Sequence, residues 1–221
     1  PFTVQGNLNG LAIEGGQTLA WELVDQLAAE QAAIDRLIIH VGGGAFASSA
    51  AAALEESVAF DQLGAMPVID TVQTQGGYPL ARAFERVAGQ LGVIIGEPVP
   101  VEAVDHALEV VARHRSDFMW AWETEPVSIA HGILDDETYD WLAVVRAMLM
   151  SGGRSVVVDE ATLEAANALA RPVVGIDADH TGTAGLAGLI QLTRDGVVRP
   201  DESVAVIFSG ARRGADAPTA H

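Results

Sequence analysis

The 221-residue sequence contains no cysteine and no lysine, all 12 of its basic residues being arginine. Without Cys there is no disulfide framework, no thiolate zinc site and no cysteine nucleophile, a composition that a reducing compartment allows. Without Lys this chain cannot itself form a Schiff base to a carbonyl cofactor, reach a phosphate with a loop lysine or use a lysine general base. Positive charge is scarce too. Acidic residues number 30, giving a formal charge of −18 and a pI near 4.4, which disfavours any sequence-independent grip on nucleic acid or anionic lipid. No apolar run is long enough to span a bilayer. Pro1-Phe2-Thr3-Val4 shows neither an initiator Met nor a basic stretch before an apolar core, so no signal peptide is expected and the chain is expected to begin within a gene. The expected location is cytoplasmic.

What is present is core material. With 49% apolar residues and 23 Gly in 23.1 kDa, the chain is one domain or a large part of one. Nearly continuous apolar runs predict five buried strands at 37–41, 66–70, 155–158, 172–176 and 204–208. Leu19, Leu23, Val24 and Leu27, then Leu80, Phe84, Val87 and Leu91, recur at helical spacing and are expected to lay apolar stripes on the sheet. Further helices are expected at 45–60, 101–115, 136–150 and 159–170, the last capped by Asp159. The alternation predicts an α/β fold, a mostly parallel sheet wrapped by helices. It spans residues 1–209, with 210–221 as a polar tail. The irregular stretch 116–139 holds Trp120, Trp122 and the acidic turn Asp135-Asp136-Glu137, and reads either as a site border or as a packed surface loop.

The strongest local signal is the buried run ending at His40-Val41, followed by Gly42, Gly43, Gly44 and Ala45 at the start of the Ala-rich helix. Three glycines between strand and helix let a ligand approach the backbone, where unpaired amides and the positive helix end face an anion. The segment lacks the Lys-Ser/Thr of a nucleotide-hydrolysing loop, and Ala47 stands where G-x-G-x-x-G needs its third glycine. A tight turn with no ligand is the plain alternative. Gly15 and Gly16 read as a second glycine turn opening a helix, with Glu14 and Gln17 beside it. Ser209 ends the last strand, where open parallel sheets bind ligands. Asp177, Asp179 and His180 could contact a ligand or a cation, or simply cap a helix; Glu14 and Glu123 are unpaired candidates for acid–base work. The six histidines, at 40, 106, 114, 131, 180 and 221, form no metal-binding pattern, so no metal is expected.

Taken together, Glu14-Gly15-Gly16-Gln17-Thr18, Arg36 to Gly44, Thr74 to Phe84, Ser128 to Ile133, Gly182 to Leu189 and Phe208-Ser209-Gly210 occur in the order and rough spacing of one family. The chain resembles the C-terminal portion of the pyridoxal-phosphate enzymes of the tryptophan synthase β fold (fold type II), threonine synthase and threonine dehydratase above all. The resemblance covers nearly all 221 residues. It implies the large α/β domain of those enzymes, with pyridoxal 5′-phosphate as cofactor. Gly42, Gly43, Gly44 and Ala45 match the loop that holds the cofactor phosphate, although the family often has a fourth glycine at Ala45. Ser209 matches the hydroxyl that meets the pyridine nitrogen, and Ala130, His131 and Gly132 match a segment lining the cofactor, His131 replacing an expected acid.

Family members hold the cofactor as an imine on a Lys in their N-terminal half, which has no counterpart here, so no catalytic residue is assigned within this chain. The implied function is that of a C-terminal fragment of a lyase or synthase acting on a small hydroxy- or phosphohydroxy-amino acid. The chain is expected to form a homo-oligomer or to pair with a missing N-terminal portion. Two alternatives stay open: a catalytically inert phosphate-ligand binder or scaffold using the same loop, and an unrelated α/β phosphate-binding enzyme of sugar metabolism.

Overall fold

The structure, a computed structural model, describes residues 9–210; the expected tail from 211 onward lies outside them. Four strands, β1 (Arg36–His40), β2 (Val68–Thr74), β3 (Ser155–Val158) and β4 (Val204–Val206), form one sheet in the order β3-β2-β1-β4. Every pairing is parallel. Helices α1 (Gly10–Glu30), α2 (Ala45–Ala59), α3 (Pro79–Leu91), α4 (Val101–Arg113), α5 (Trp141–Ser151), α6 (Glu160–Val174) and α7 (Ala184–Arg194) cover it. Alternate residues of β1 show the layering. Leu37 and Ile39 pack into a core with Leu54, Phe84 and Met148, and Ile38 packs into a second core with Leu163 and Ala187 on the opposite face. Both faces of a parallel sheet are thus buried, as its continuous apolar strands require. No helix among the described residues is long and apolar enough to cross a membrane.

The expected α/β class and parallel sheet are borne out; several element assignments are corrected. The run 172–176 is not a strand but the end of α6 and the turn after it. Asp159 caps that helix through the Thr162 amide, Leu163, Ala166, Asn167 and Ala170 form its buried stripe, and Gly175 stops it in a left-handed conformation at φ 69°. The β-branched residues Val173 and Val174 stay exposed, with no sheet neighbour to pair with. The second glycine turn is also absent, because residues 13–18 lie inside α1, which starts earlier at its cap Asn9. A Cβ at Gly16 would come within 2.6 Å of Ser49 Oγ, so this glycine lets α1 pack closely on α2. The stripe of α1 therefore meets α2 and not the sheet, burying Ala20 and Val24 but leaving Leu19 exposed.

One buried ion network ties the starts of the strands together. Arg36, the first residue of β1, pairs with Asp70 of β2 and donates from Nε to Glu202, just before β4, at 2.7 Å. Asp70 Oδ1 also accepts the Arg154 amide, just before β3, at 2.8 Å. Burial pushes the Asp70 carboxyl above the ordinary carboxylate range, against the pull of the neighbouring Arg36. Removing Asp70 leaves the buried Arg36 with one carboxylate, Glu202, in place of two, and the Arg154 amide without its acceptor. Asp70→Ala is expected to lower the unfolding free energy by about 3 kcal/mol, read from urea denaturation; a loss below about 1 kcal/mol would show that the network does not hold the sheet.

Candidate functional site

The C-terminal ends of β1 and β4 open into a cavity of about 380 Å³, near the lower end of the size range for small-ligand sites. It is lined by His40, the turn from Val41 to Gly44, the first residues of α2, and Gly132, Ile133, Thr181 and Ser209. The start of α2, like those of α4, α5 and α7, has no side-chain cap, in contrast to three other helices. Asn9 caps α1, Gln73 Oε1 accepts the Leu80 and Ala81 amides of α3, and Asp159 caps α6. At α2 the cap position is Gly44, held at φ 95° and without a side chain to bond the first amides. Those amides have no partner within the helix and carry its positive end.

The glycines are required from behind as well. Thr138 Oγ1 donates to the Gly42 carbonyl at 2.9 Å, and the Asp140 amide donates to the Gly43 carbonyl at 2.9 Å. A Cβ at Gly42 would collide with Asp135, and one at Gly44 would lie 3.0 Å from Thr138. Residues 136–140, expected from sequence to begin a helix, belong instead to the loop that buttresses the turn; α5 starts only at Trp141. The acids of this loop border the site. The Asp135 carboxylate accepts the Gly43 amide, and burial, followed by the nearby Asp136, pushes its carboxyl up. Burial also raises Asp140, against the hydroxyl that Ser48 donates to it at 3.2 Å.

Across the cavity, parallel pairing continues past β4 through the Ile207 amide to the Ile38 carbonyl, which sets Ser209 beside His40. The Ser209 amide donates to the Gly182 carbonyl, and Asp179 Oδ1 accepts the Gly182 amide at 2.7 Å. Ser209 Oγ then lies 2.6 Å from His40 Nε2. The His40 ring is buried, and its Nδ1 has no hydrogen-bond partner. Burial pushes its pKa down from 6.5 to about 4, with the charge of Asp179 acting in the other direction. The ring is neutral at physiological pH.

Of the expected site residues, Gly42, Gly43, Gly44, Ala45, Gly132 and Ser209 line this one cavity. Ala130 is fully buried in the core beside it, and His131 is exposed. Asp179 does its work as a turn cap, and Asp177 pairs with Arg171 at 3.3 Å. Glu123 is distant in role: it binds Arg82 and accepts from Trp120 Nε1 at 2.6 Å, which holds its carboxyl low. Glu14 sits exposed on α1. Sequence reasoning missed His40, Thr181 and the role of loop 135–140; a lone polar residue in an otherwise apolar strand, directly before a glycine triplet, was the available signal for His40. Among the described residues no group of three or more His, Asp or Glu could hold a metal ion.

No protein-family profile matches the chain. It is 25% identical over 205 residues to threonine synthase of Methanocaldococcus jannaschii, a match covering 92% of this chain and 43% of that protein. Threonine synthase of Methanosarcina acetivorans matches over the same shares at 24%. Among solved structures, the T.th. threonine deaminase superposes with a TM-score of 0.64 at 18% identity, covering 93% of this chain and 60% of that one. The L-serine ammonia-lyase of Rhizomucor miehei gives 0.62 at 17%, covering 92% and 53%. The chain thus spans less than half the length of the curated relatives it matches. The expected resemblance is borne out: the fold is that of the type II pyridoxal-phosphate enzymes, over their C-terminal portion.

The depressed His40 pKa has a stability consequence. Between pH 6.5 and about 4 the unfolded chain holds a proton on His40 that the folded chain does not, so this contribution is complete above pH 6.5 and is lost as the pH falls through that window. His40 is expected to account for about 3 kcal/mol of the acid destabilisation between pH 7 and pH 4. His40→Leu should flatten the curve of unfolding free energy against pH by that amount, and an unchanged curve would contradict the assignment.

Proposed function

We propose that this chain, folded as the C-terminal portion of a type II pyridoxal-phosphate enzyme, is the cofactor-holding part of a lyase or synthase acting on a small hydroxy- or phosphohydroxy-amino acid. The observation that carries this reading is that the start of α2, free of a side-chain cap, and Ser209 line one cavity. The residues present fit the cofactor's phosphate and ring. The Asp135 carboxylate accepts the Gly43 amide at the turn, and the Ser209 hydroxyl, 2.6 Å from His40 Nε2, belongs to the same cavity lining and suits a ring heteroatom. They do not supply its covalent attachment, because the chain has no Lys. An imine-forming lysine comes from outside these 221 residues.

When bound, the cofactor supplies an electron sink for negative charge at the substrate α-carbon. The chain's own residues do the holding. Amides of Gly44, Ala45 and the next residues take the phosphate with no cationic side chain, since neither Arg nor Lys lines the cavity. Ser209 orients the ring nitrogen with a neutral hydroxyl, which draws fewer electrons than a carboxylate-paired pyridinium and suits β-elimination and replacement. Threonine synthase, threonine deaminase and serine ammonia-lyase among the relatives favour an enzyme over the inert scaffold, and an amino-acid substrate and a cytoplasmic setting follow the same reading. Leu11, Trp21 and Phe60, exposed on α1 and beside the end of α2, offer apolar surface to a further portion of the protein or to a second copy.

Pyridoxine 5′-phosphate, which has the ring and phosphate but no aldehyde, tests the site without a lysine. Calorimetry is expected to show binding to the 221-residue chain. Gly44→Ala, placing a side chain at φ 95°, should weaken it at least about tenfold, and Ser209→Ala by roughly fivefold. Absence of binding to the unaltered chain would contradict the reading.

A further inference from the structure

We propose that His40 is a positioning residue that fixes the direction of the Ser209 hydroxyl: its Nε2–H donates to Ser209 Oγ, turning the hydroxyl proton into the cavity, so the site selects a ring bearing a bare, hydrogen-bond-accepting nitrogen. The claim about the hydroxyl stands on this geometry alone; the claim about the ring rests on the proposed function.

His40 is only 7% exposed, follows four buried residues of a central strand, and meets Ser209 Oγ at 2.6 Å. A neutral imidazole has one N–H to place. On Nδ1 it would be a buried donor facing no acceptor, since Nδ1 has no partner; on Nε2 it meets the serine oxygen. Buried orphan N–H groups are rarer than orphan acceptors, so the Nε2–H form is the one this pocket holds. The imidazolium, which would donate from both nitrogens, is removed by burial. Once Ser209 Oγ accepts from His40, the hydroxyl's own proton is free to donate, and the Ser209 amide bond to Gly182 holds the residue in place for it. A ring nitrogen that carries a proton would face this donor with another donor and be rejected. A ring carbon in the same place would leave the hydroxyl without a partner. His40 thereby converts a rotatable hydroxyl, which can donate or accept, into a donor of fixed sense.

Two measurements on the 221-residue chain test this. Ring ¹⁵N NMR of its histidines, without ligand at pH 7, should show the His40 ring as the Nε2–H tautomer; an Nδ1–H tautomer or an imidazolium would overturn the proposal. Calorimetry should then compare pyridoxine 5′-phosphate with its carbocyclic analogue, in which C–H replaces the ring nitrogen. The unaltered chain should prefer the nitrogen ring over the carbocyclic one by roughly tenfold and His40→Leu by less than about threefold, the ratio within each protein being the readout. A preference that survives His40→Leu would overturn the role of His40. His40→Gln, which keeps an amide donor, should restore part of the preference and serves where His40→Leu melts below the unaltered chain. If neither ester binds, the proposed function fails, and the tautomer alone decides the direction of the hydroxyl.

Discussion

The register of β1 between β2 and β4 is the constraint from which the site follows. Arg36 sets it at one end of the strand by pairing with Asp70 and Glu202, each belonging to or leading into a neighbouring strand. Five residues of ladder then carry that register to the other end. There β1 releases the glycine turn into α2 and presents His40 to Ser209, which arrives on the chain continuing from β4. A slip of one residue would reverse which face each side chain meets, moving His40 away from Ser209 and the turn away from its buttress. The ion network contributes less through its own energy, since paired burial roughly offsets desolvation, than through the single alignment it allows.

The proposed site takes an anion within a chain of formal charge −18 and without an Arg or Lys in the cavity lining. A helix end suits this because its first amides have no partner within the helix and carry its positive end. The surrounding acids limit this field. Burial raises the Asp135 and Asp140 carboxyls from the ordinary aspartate value. Loop 135–140 therefore has two effects: its hydroxyl and amide hold the turn's carbonyls from behind, and its carboxylate occupies an amide of the turn.

What could be read from sequence and what could not divide along physical lines. The strands of the central sheet were legible because burial on both faces leaves an unbroken apolar run, and α3 because Leu80, Phe84 and Val87 hold one buried stripe. The run Val173-Val174 misled because β-branched composition cannot reveal whether a sheet edge is available, and here the helix begun at Asp159 continues through it. Gly15 and Gly16 read as a turn because glycine's freedom is visible in sequence while its smallness against Ser49 is not. In the site, Gly42 to Ala45 and Ser209 were legible from the strand-turn-helix pattern and from strand ends. The pairing of His40 with Ser209 was not, since 169 residues separate them and only the parallel register joins them.

The central claim is that the start of α2 and Ser209 are two ends of one ligand site. The most direct measurement is backbone amide NMR of the chain during titration with pyridoxine 5′-phosphate. The account predicts that the amides of Gly44, Ala45 and Phe46 and that of Ser209 shift together along one saturation curve, while the side-chain-capped starts of α1, α3 and α6 stay unmoved. Shifts at α2 that saturate without Ser209, or binding that perturbs a different surface, would contradict it.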